Sequence, residues 1–431
     1  MSASAAPVES PLPRRIGPYT LFDKIGRGGM ADIFLAKVET DLGVTRLAVV
    51  KQILPHLSDS PQFADLLITE AKLAARLDHA NIVQVHDLGR ADGFLYIAMQ
   101  YVEGFDLNDL LRRCTRTKTA LPVQYALLVV IEALRALDYA HRKTAEDGKP
   151  LGIVHRDVSP SNLLISFEGE VKLCDFGIAH ANDAVPSEAY SEDVIKGKAG
   201  YMSPEQARGE PLDARADVFA IGIVLWELMA GRRLYKAGPD QPQLLDQAKA
   251  ARIPELPSRG LPLEEQLFAI SKKALAPDRD RRYPSAQSFL FDLEHYVAES
   301  KLMASPLRFG EWLIERFGDD LIHQRRERER AVHLLEEGSG ADIVTEAGSS
   351  SSSGLRSSAA SEDENEPLPL QKPLSANDPL PLRKPLDSTA HVPFALLASD
   401  DAQSSGRVWK MLAGLVLIAI GVVVAYWATI R

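Results

Sequence analysis

The sequence predicts an α+β fold in which a small β-rich part precedes a larger helical part. In the first part, apolar and polar residues alternate over residues 19–38, and residues 48–51 and 95–102 form apolar runs of strand length. In the second part, residues 123–141 and 217–229 are apolar stretches too long for typical strands. Strands followed by helices, without regular alternation, indicate an α+β architecture.

Composition limits the classes of protein that fit. With 431 residues, the chain exceeds the size at which a single core keeps growing, so more than one unit is expected. A formal charge of −10 argues against a nucleic-acid-binding surface. Cys114 and Cys174 are the only cysteines, which leaves no disulfide framework and no cysteine-based metal site. Residues 1–16 have no apolar core of a signal peptide and are expected to be a disordered lead-in.

The most informative feature is a pair of polar blocks. The stretch from Ile153 to Asn162 places a carboxylate, Asp157, five residues before the amide of Asn162. Thirteen residues later a short apolar run ends in Asp175, which is followed by Phe and Gly. Oxygen-bearing side chains that meet near one point suit a phosphate-bound divalent cation, because Mg²⁺ takes few protein ligands and completes its shell with water and phosphate.

These two blocks resemble the catalytic loop and the metal-binding loop of protein kinases, in particular bacterial Ser/Thr kinases of the eukaryotic (Hanks) type. The resemblance covers residues 17–300 and implies a bilobal protein-kinase fold, with ATP as cofactor and protein substrates as acceptors. It implies Mg²⁺ as the metal, with Mn²⁺ as an alternative, held by Asn162 and Asp175. It also implies that Asp157 is the catalytic base that orients the acceptor hydroxyl.

A glycine-rich stretch lies between two predicted strands of the first part. Glycines let backbone N–H groups approach phosphate oxygens without a Cβ in the way. A dinucleotide-binding loop would have to open a helix, whereas residues 33–35 resume a strand, and a plain glycine-rich hairpin is a further alternative. Kinases usually carry Gly where this chain has Ala31. The expected ATP-binding residues here are Ile25, Gly26, Gly28, Gly29, Ala31 and Ile33.

Two further residues are predicted to face the nucleotide. Lys51 closes an apolar strand, where an unpaired ammonium would be costly, and Glu70 on a predicted helix is its candidate partner. By resemblance, Lys51 binds the α- and β-phosphates and Glu70 holds Lys51 in place. Met99, before the expected hinge between the lobes, resembles the residue at the back of the adenine pocket, although plain core packing also explains it.

Two positions depart from the kinase pattern. Ser159 stands where Ser/Thr kinases usually place a Lys two residues after the catalytic Asp, and Lys198 stands where they usually place a Thr. We hypothesise that the cation and the hydroxyl have exchanged places, so that Lys198 neutralises phosphate charge. The alternative is that Lys198 is a solvent-facing residue. The departures also weaken the inference of Ser/Thr over Tyr as acceptor.

By resemblance, residues 175–205 form the activation loop. Its hydroxyls best placed for phosphorylation are those of Ser187, Tyr190 and Ser191. Arg156, beside the catalytic base, could bind a phosphorylated loop. At the end of the loop, Glu205 is expected to form a structural ion pair with Arg282.

Two different segments follow residue 300. Residues 301–337 are predicted to be a helical extension, as one or two helices on the large lobe, and the interleaved charges of residues 324–330 favour a solvated face over a membrane-binding face. Residues 338–406 are Ser- and Pro-rich and are predicted to be a disordered linker. An internal repeat, 367–374 and 379–386, favours a polyproline II spacer or a docking segment for a partner.

Residues 411–430 are an uncharged apolar run that is long enough to cross a bilayer. The basic residues Arg407 and Lys410 favour a cytoplasmic amino-terminal side, so we expect a single-pass protein of the inner (cell) membrane with a cytoplasmic kinase domain. Small residues on one face of the span favour helix–helix contact and therefore a homodimer. These residues are Gly414, Gly421, Ala425 and Ala428.

The sequence therefore predicts a membrane-anchored protein serine/threonine kinase that also phosphorylates itself. A pseudokinase scaffold, which would bind nucleotide or partners without turnover, is the alternative that Ser159 and Lys198 motivate. A small-molecule phosphotransferase on the same fold is a third interpretation. The retained set of polar residues argues against the pseudokinase. That set comprises Lys51, Asp157, Asn162 and Asp175.

Overall fold

The protein is seen in a computed structural model that describes residues 12–39, 43–176, 199–236, 243–337 and 370–371. Within these residues the expected α+β, bilobal architecture is confirmed. A β-rich small lobe is followed by a mainly helical large lobe. Several predicted features lie outside the described residues. They are Lys198, the hydroxyls of Ser187, Tyr190 and Ser191, most of the linker, and residues 411–430.

The small lobe is built on one six-stranded antiparallel sheet with the strand order β1-β2-β3-β4-β6-β5. Helix α2 begins with Ser60 as its cap and Pro61 in its first turn, and it buries Phe63, Leu67 and Ala71 in the core of the lobe. The elements are β1 (Arg14–Ile16), β2 (Tyr19–Arg27), β3 (Ala31–Glu39), β4 (Thr45–Ile53), α1 (Pro55–Ser58), α2 (Pro61–Ala74), β5 (Val85–Ala91) and β6 (Phe94–Gln100).

The large lobe is organised around two buried apolar helices, α4 and α6. Both helices carry apolar residues on nearly every face. They are therefore buried on nearly every face and form the centre of the core. The elements are β7 (Gly104–Asp106), α3 (Leu107–Arg116), β8 (Leu121–Pro122), α4 (Val123–His141), β9 (Leu163–Ser166), β10 (Val171–Leu173), α5 (Pro204–Ala207), α6 (Arg215–Ala230), α7 (Leu244–Ala250), α8 (Glu264–Ala274), α9 (Ala286–Glu299) and α10 (Pro306–Glu337).

A second, three-stranded sheet has the order β10-β9-β7 and lies where the lobes meet. The chain passes from β6 of the large sheet to β7 of the small one through residues 101–103. Asn81 and Val83 of the small-lobe segment also form backbone hydrogen bonds with Leu173 of β10. The predicted catalytic and metal-binding blocks flank β9 and β10, so they face this junction.

The helical extension forms one helix, α10, on the large lobe. Its apolar face is buried against α4, where the rings of Tyr125 and Phe309 stack with centroids 4.8 Å apart. The hydroxyl of Tyr125 donates a hydrogen bond of 3.0 Å to the carbonyl oxygen of Arg308. About three turns further on, Asp320 forms an ion pair with the buried Arg113 of α3.

Two glycines let α10 approach the turn between β9 and β10 backbone to backbone. A Cβ on Gly310 would lie 2.6 Å from the backbone carbon of Glu168. A Cβ on Gly169, which has φ of +83°, would lie 1.9 Å from the carbonyl oxygen of Pro306. No side chain fits at either place without a backbone shift, so the glycines fix where α10 docks.

The expected ion pair between Glu205 and Arg282 is confirmed. The guanidinium donates to both carboxylate oxygens at 2.6 and 2.7 Å, and both side chains are almost fully buried. Burial would raise the pKa of Glu205, but the hydrogen bonds from Arg282 outweigh it and lower that pKa below its usual 4.5. The pair joins the segment after the activation loop to the base of the large lobe.

One part of the predicted linker does lie in the described residues. Leu370–Gln371 forms a short strand, β11, that pairs in parallel with Leu121–Pro122 of β8. The remainder of the linker stays a prediction. Across the described residues, no helix has both the length and the apolar character needed to span a bilayer.

We expect Gly310→Ala to destabilise the protein and Gly318→Ala, in the same helix, to stabilise it slightly. At Gly310 the new methyl group meets backbone, and overpacking costs about 1–3 kcal/mol, more than the 0.5–1 kcal/mol that alanine typically gains in a helix. At Gly318 the nearest atom is Cγ2 of Ile314 at 3.5 Å, an ordinary contact. Urea unfolding of both variants measures the difference, and equal shifts would contradict the docking geometry.

We expect Glu205→Gln to lower the free energy of unfolding by about 3–5 kcal/mol at neutral pH, since it leaves Arg282 buried without its counter-charge. The folded-state pKa of Glu205 is depressed, so the stability it contributes is complete above the unfolded pKa near 4.5 and is lost as the pH falls through the lower folded value. The difference between wild type and variant should therefore shrink below about pH 4.5.

Urea unfolding at a series of pH values measures this difference. The matched control is Glu210→Gln, because Glu210 forms solvent-accessible ion pairs with Arg208 and Arg279 near the surface and should matter little at any pH. A difference that grows in acid would contradict the assignment.

Candidate active site

The predicted catalytic loop lies between Ile153 and the start of β9 at Leu163. His155 is fully buried, and its Nδ1 accepts a hydrogen bond of 3.2 Å from the backbone N–H of Asp157. Asp157 itself is only partly buried. Arg156 has φ of +67°, a left-handed conformation that is uncommon for residues with a side chain.

The backbone of this loop is held by Asp217 in the first turn of α6. The Asp217 carboxylate accepts hydrogen bonds from the N–H groups of His155 and Arg156 at 2.7 and 2.8 Å, and lies 2.8 Å from Nε2 of His141. Burial would raise the pKa of Asp217, but the hydrogen bond and charge of His141, with a contribution from His155, lower it instead. Asp217 is therefore ionised, and its carboxylate holds the backbone of the catalytic loop in place.

A chain of hydrogen bonds connects the catalytic loop to the predicted metal-binding loop. Nε2 of His155 lies 2.8 Å from the carbonyl oxygen of Cys174, and the N–H of Cys174 donates to the carbonyl oxygen of Asn162 at 3.0 Å. The side-chain amide of Asn162 donates to the carbonyl oxygen of Asp157 at 2.7 Å. The two loops are thus one hydrogen-bonded unit, and it brings Asp157, Asn162 and Asp175 together.

Lys51 reaches this unit from the small lobe. It lies near the end of β4, in register with Ile33 of β3 and Ile97 of β6, and its Nζ is 2.9 Å from Oδ2 of Asp175. Burial would lower the pKa of Lys51, but the carboxylate of Asp175, with smaller contributions from Cys174 and Asp157, leaves it raised. The ammonium is therefore charged in the folded protein.

The expected contact between Lys51 and Glu70 is not formed in this structure. Glu70 is buried on the inner face of α2, as its helical spacing predicts, but the ion pair of Lys51 is with Asp175. Asp175 has φ of +64°, which is compatible with its carboxylate reaching the ammonium. Sequence spacing fixes the face of α2 that carries Glu70 but not the distance of the helix from β4.

The glycine-rich stretch forms the hairpin between β2 and β3. Ile25 and Gly26 lie near the end of β2, where Gly26 is in register with Ile33, and the N–H of Gly28 donates to the carbonyl oxygen of Ala31 at 2.8 Å. Gly29 lies in the turn, while Ala31 is 1% exposed. Because a strand and not a helix follows, the dinucleotide-binding alternative is wrong.

Met99 lies in the small-lobe core and lines a small cavity close to the site. The cavity extends between α2 and the sheet and reaches Asp175 and Phe176. The ring of Phe176 also packs edge-on against that of His155, with centroids 4.6 Å apart. Both the expected role of Met99 beside the nucleotide and plain core packing agree with this position.

One residue that departs from the kinase pattern can be placed. Ser159 precedes a short 3₁₀ turn, Pro160–Asn162, and its side chain makes no capping hydrogen bond there. Its proposed counterpart, Lys198, lies outside the described residues.

Sequence reasoning missed two residues that position the loops. Asp217 was treated only as the start of an apolar helix, although a carboxylate at the head of a buried helix requires partners. Gln206 of α5 was not singled out, and its side-chain amide donates to the carbonyl oxygen of Arg156 at 2.8 Å. For Gln206 no local pattern points to this contact.

The oxygen-bearing side chains fit a divalent cation. No group of three or more His, Cys, Asp or Glu suited to a metal occurs in the part of the chain that the structure describes. Mg²⁺ does not need such a group, because it is usually held by one or two protein ligands together with water and phosphate. With its Nδ2 bound to Asp157, Asn162 presents Oδ1 beside Cys174, next to Asp175 in the chain.

Comparison with known proteins gives a consistent assignment. The protein kinase domain family matches residues 19–296. Tyrosine-protein kinase MasK of Myxococcus xanthus is 41% identical over 315 residues, which is 73% of this chain and 48% of that protein. Serine/threonine-protein kinase PknB of Mycobacterium leprae is 38% identical over 280 residues, 64% of this chain and 42% of that protein. The chain thus spans about half the length, or less, of these relatives.

Among solved structures, the PknI kinase domain of Mycobacterium tuberculosis is similar, with a TM-score of 0.50 and 28% sequence identity. The likeness covers 66% of this chain and 98% of that domain. The family match alone covers more than half of the chain, and the loops that it includes carry the polar residues described above. The chain belongs to the protein kinase family, among the bacterial kinases of Hanks type, which use ATP and a divalent metal.

Proposed function

We propose that this protein is a membrane-anchored kinase that transfers the γ-phosphoryl group of ATP to serine or threonine hydroxyls of proteins, those of its own activation loop included. The observation that carries the proposal is the meeting of Lys51 from the small lobe with Asp157, Asn162 and Asp175 from the large one. Phosphoryl transfer depends mainly on such positioning and charge neutralisation.

Each of these residues has a role that its position supports. Asp157 is a partly buried residue on a loop whose backbone is fixed, which suits a group that accepts the proton of an acceptor hydroxyl and orients its oxygen. Lys51 is charged and buried, which suits the binding of phosphate oxygens. Asn162 and Asp175 would hold Mg²⁺, or Mn²⁺ as the alternative, and the ion neutralises phosphate charge when bound.

Ser159 and Lys198 are the two positions that bear on how the charge of the γ-phosphate is neutralised. Ser159 begins the turn that leads to Asn162, where it lies between Asp157 and the metal-binding residues along the chain. Under the exchange hypothesis its hydroxyl supplies the hydrogen bond and Lys198 supplies the positive charge toward the γ-phosphate.

A tyrosine acceptor is the second candidate. It is favoured by the 41% identity with a relative named as a tyrosine-protein kinase, and by Ser159 at the usual lysine position. Serine or threonine is favoured by the relatives named PknB, at 36–38% identity in several bacteria. Because both kinds of relative align with the same domain, identity of the acceptor needs a direct measurement.

The membrane anchor and the homodimer rest on the sequence of residues 411–430. The uncharged run has the length of a span, the flanking basic residues favour a cytoplasmic kinase domain, and the small residues on one face suit a paired helix. Pairing of two copies would bring one activation loop to the active site of the other.

We expect Asp157→Asn to reduce phosphoryl transfer by about 10²-fold or more, because positioned general bases contribute about 10²–10⁴-fold. The assay uses labelled ATP and the purified full chain, and phosphoamino-acid analysis of the product identifies the acceptor. Asp147→Asn is the matched control, since Asp147 lies in an exposed turn and pairs with Lys149. Its activity should equal that of the wild type.

Other outcomes select the alternatives. Nucleotide binding by the wild type without any turnover would indicate the pseudokinase scaffold. Transfer to small molecules but not to proteins would indicate a small-molecule phosphotransferase. Phosphotyrosine as the sole product would replace the serine/threonine assignment.

A further inference from the structure

The carboxyl-terminal half of α10 contacts the segment that connects the two lobes. Arg325 donates from Nη2 to Oε2 of Glu103 at 2.7 Å and from Nε to both carboxylate oxygens at 3.1 and 3.2 Å. Arg328 also bonds this carboxylate, and its guanidinium lies 5.2 Å from the ring centroid of Tyr101. Arg325 remains exposed, as the predicted solvated face requires, whereas the side chain of Arg328 is mostly buried.

Residues 101–103 are a sensitive place for such contacts. They join β6, which ends just after Met99, to β7 of the large lobe, so their conformation sets how the lobes meet. The carbonyl oxygen of Glu103 accepts a hydrogen bond of 3.0 Å from the N–H of Phe167, while its side chain is held by α10. Glu103 is thus fixed on two sides.

The helix that holds Glu103 is itself rigidly placed on the large lobe. Its first turns touch the turn between β9 and β10 through Gly310, and Asp320 pairs with Arg113. From Gly310 to Arg328 an α-helix rises about 27 Å. A single helix, α10, therefore links its docking site on the large lobe to residues 101–103. Packing alone would not require two arginines to converge on one carboxylate.

The charges of this cluster support a strong contact. Burial would raise the pKa of Glu103, but hydrogen bonds from Arg325 and Arg328 outweigh burial and lower it. The carboxylate is thus ionised at neutral pH. Bidentate, charge-assisted hydrogen bonds are stronger than isolated surface ion pairs, and the guanidinium over an aromatic ring adds to them.

We propose that Arg325 and Arg328 are positioning residues for the nucleotide: by holding Glu103 they fix residues 101–103 and thereby set the affinity for ATP, without acting in the chemical step. The inference rests on the proposed function, because it assumes that ATP binds between the lobes beside Met99. It predicts that loss of the contacts between these two arginines and Glu103 weakens ATP binding, while the loops around Asp157 keep their geometry.

The experiment compares ATP binding and turnover of the full chain. In the double variant Arg325→Gln and Arg328→Gln, the dissociation constant for ATP and KM for ATP should rise by about five- to tenfold, as expected for loss of a charge-assisted contact, while kcat changes by less than about twofold. Glu103→Gln, which keeps the shape of the side chain, should shift both constants in the same direction. Arg326→Gln is the matched control, since Arg326 is an exposed arginine of the same helix.

A charge swap separates positioning from mere docking stability. Glu103→Arg combined with Arg325→Glu and Arg328→Glu should recover part of the lost affinity, and thermal unfolding is followed for every variant. Unchanged ATP affinity in the double variant, or a fall in kcat that tracks lower melting temperature, would overturn the proposal while leaving the kinase assignment intact. If the wild type binds no ATP, the proposed function fails and the inference fails with it.

Discussion

The geometry of the site depends on one buried carboxylate. Asp217 accepts two backbone hydrogen bonds from the catalytic loop and lies within hydrogen-bonding distance of His141, and it stands on a helix that forms the centre of the large-lobe core. A desolvated charge is tolerated only when its hydrogen-bond partners are in place, so the loop and the helix fix each other. Through His155 and Cys174 the same constraint extends to the loop that ends in Asp175.

The sequence predicted the polar cluster because local geometry largely creates it. The antiparallel pairing of β9 with β10 puts Leu163 opposite Leu173, so the residues just outside the pair, Asn162 and Cys174, must be neighbours. Spacing along the chain encodes this pairing, as it encodes the hairpin around the glycines. Asp217 was within reach of the same reasoning, since an acidic residue heading an apolar helix signals a buried hydrogen-bond acceptor.

Contacts between distant segments could not be predicted in this way. Glu103 and Arg325 are separated by 222 positions, and the charge pattern of α10 does not indicate that Glu103 is the partner of Arg325. The interleaved glutamates suggested a solvated helix, yet Arg325 and Arg328 are three residues apart and so share one face. The distance between Glu70 and Lys51 likewise depends on how α2 packs against the sheet, which helical spacing leaves undetermined.

The two lobes are joined at the site by an ion pair between two charged side chains. Lys51 and Asp175 belong to different lobes, and their contact of 2.9 Å holds a largely buried ammonium that stays charged. Because an unpaired buried ammonium is costly, Lys51 requires an anion beside it for as long as it stays buried. A nucleotide phosphate is also an anion, so the ammonium that pairs with Asp175 is suited to binding the phosphate oxygens of the ATP that this family uses.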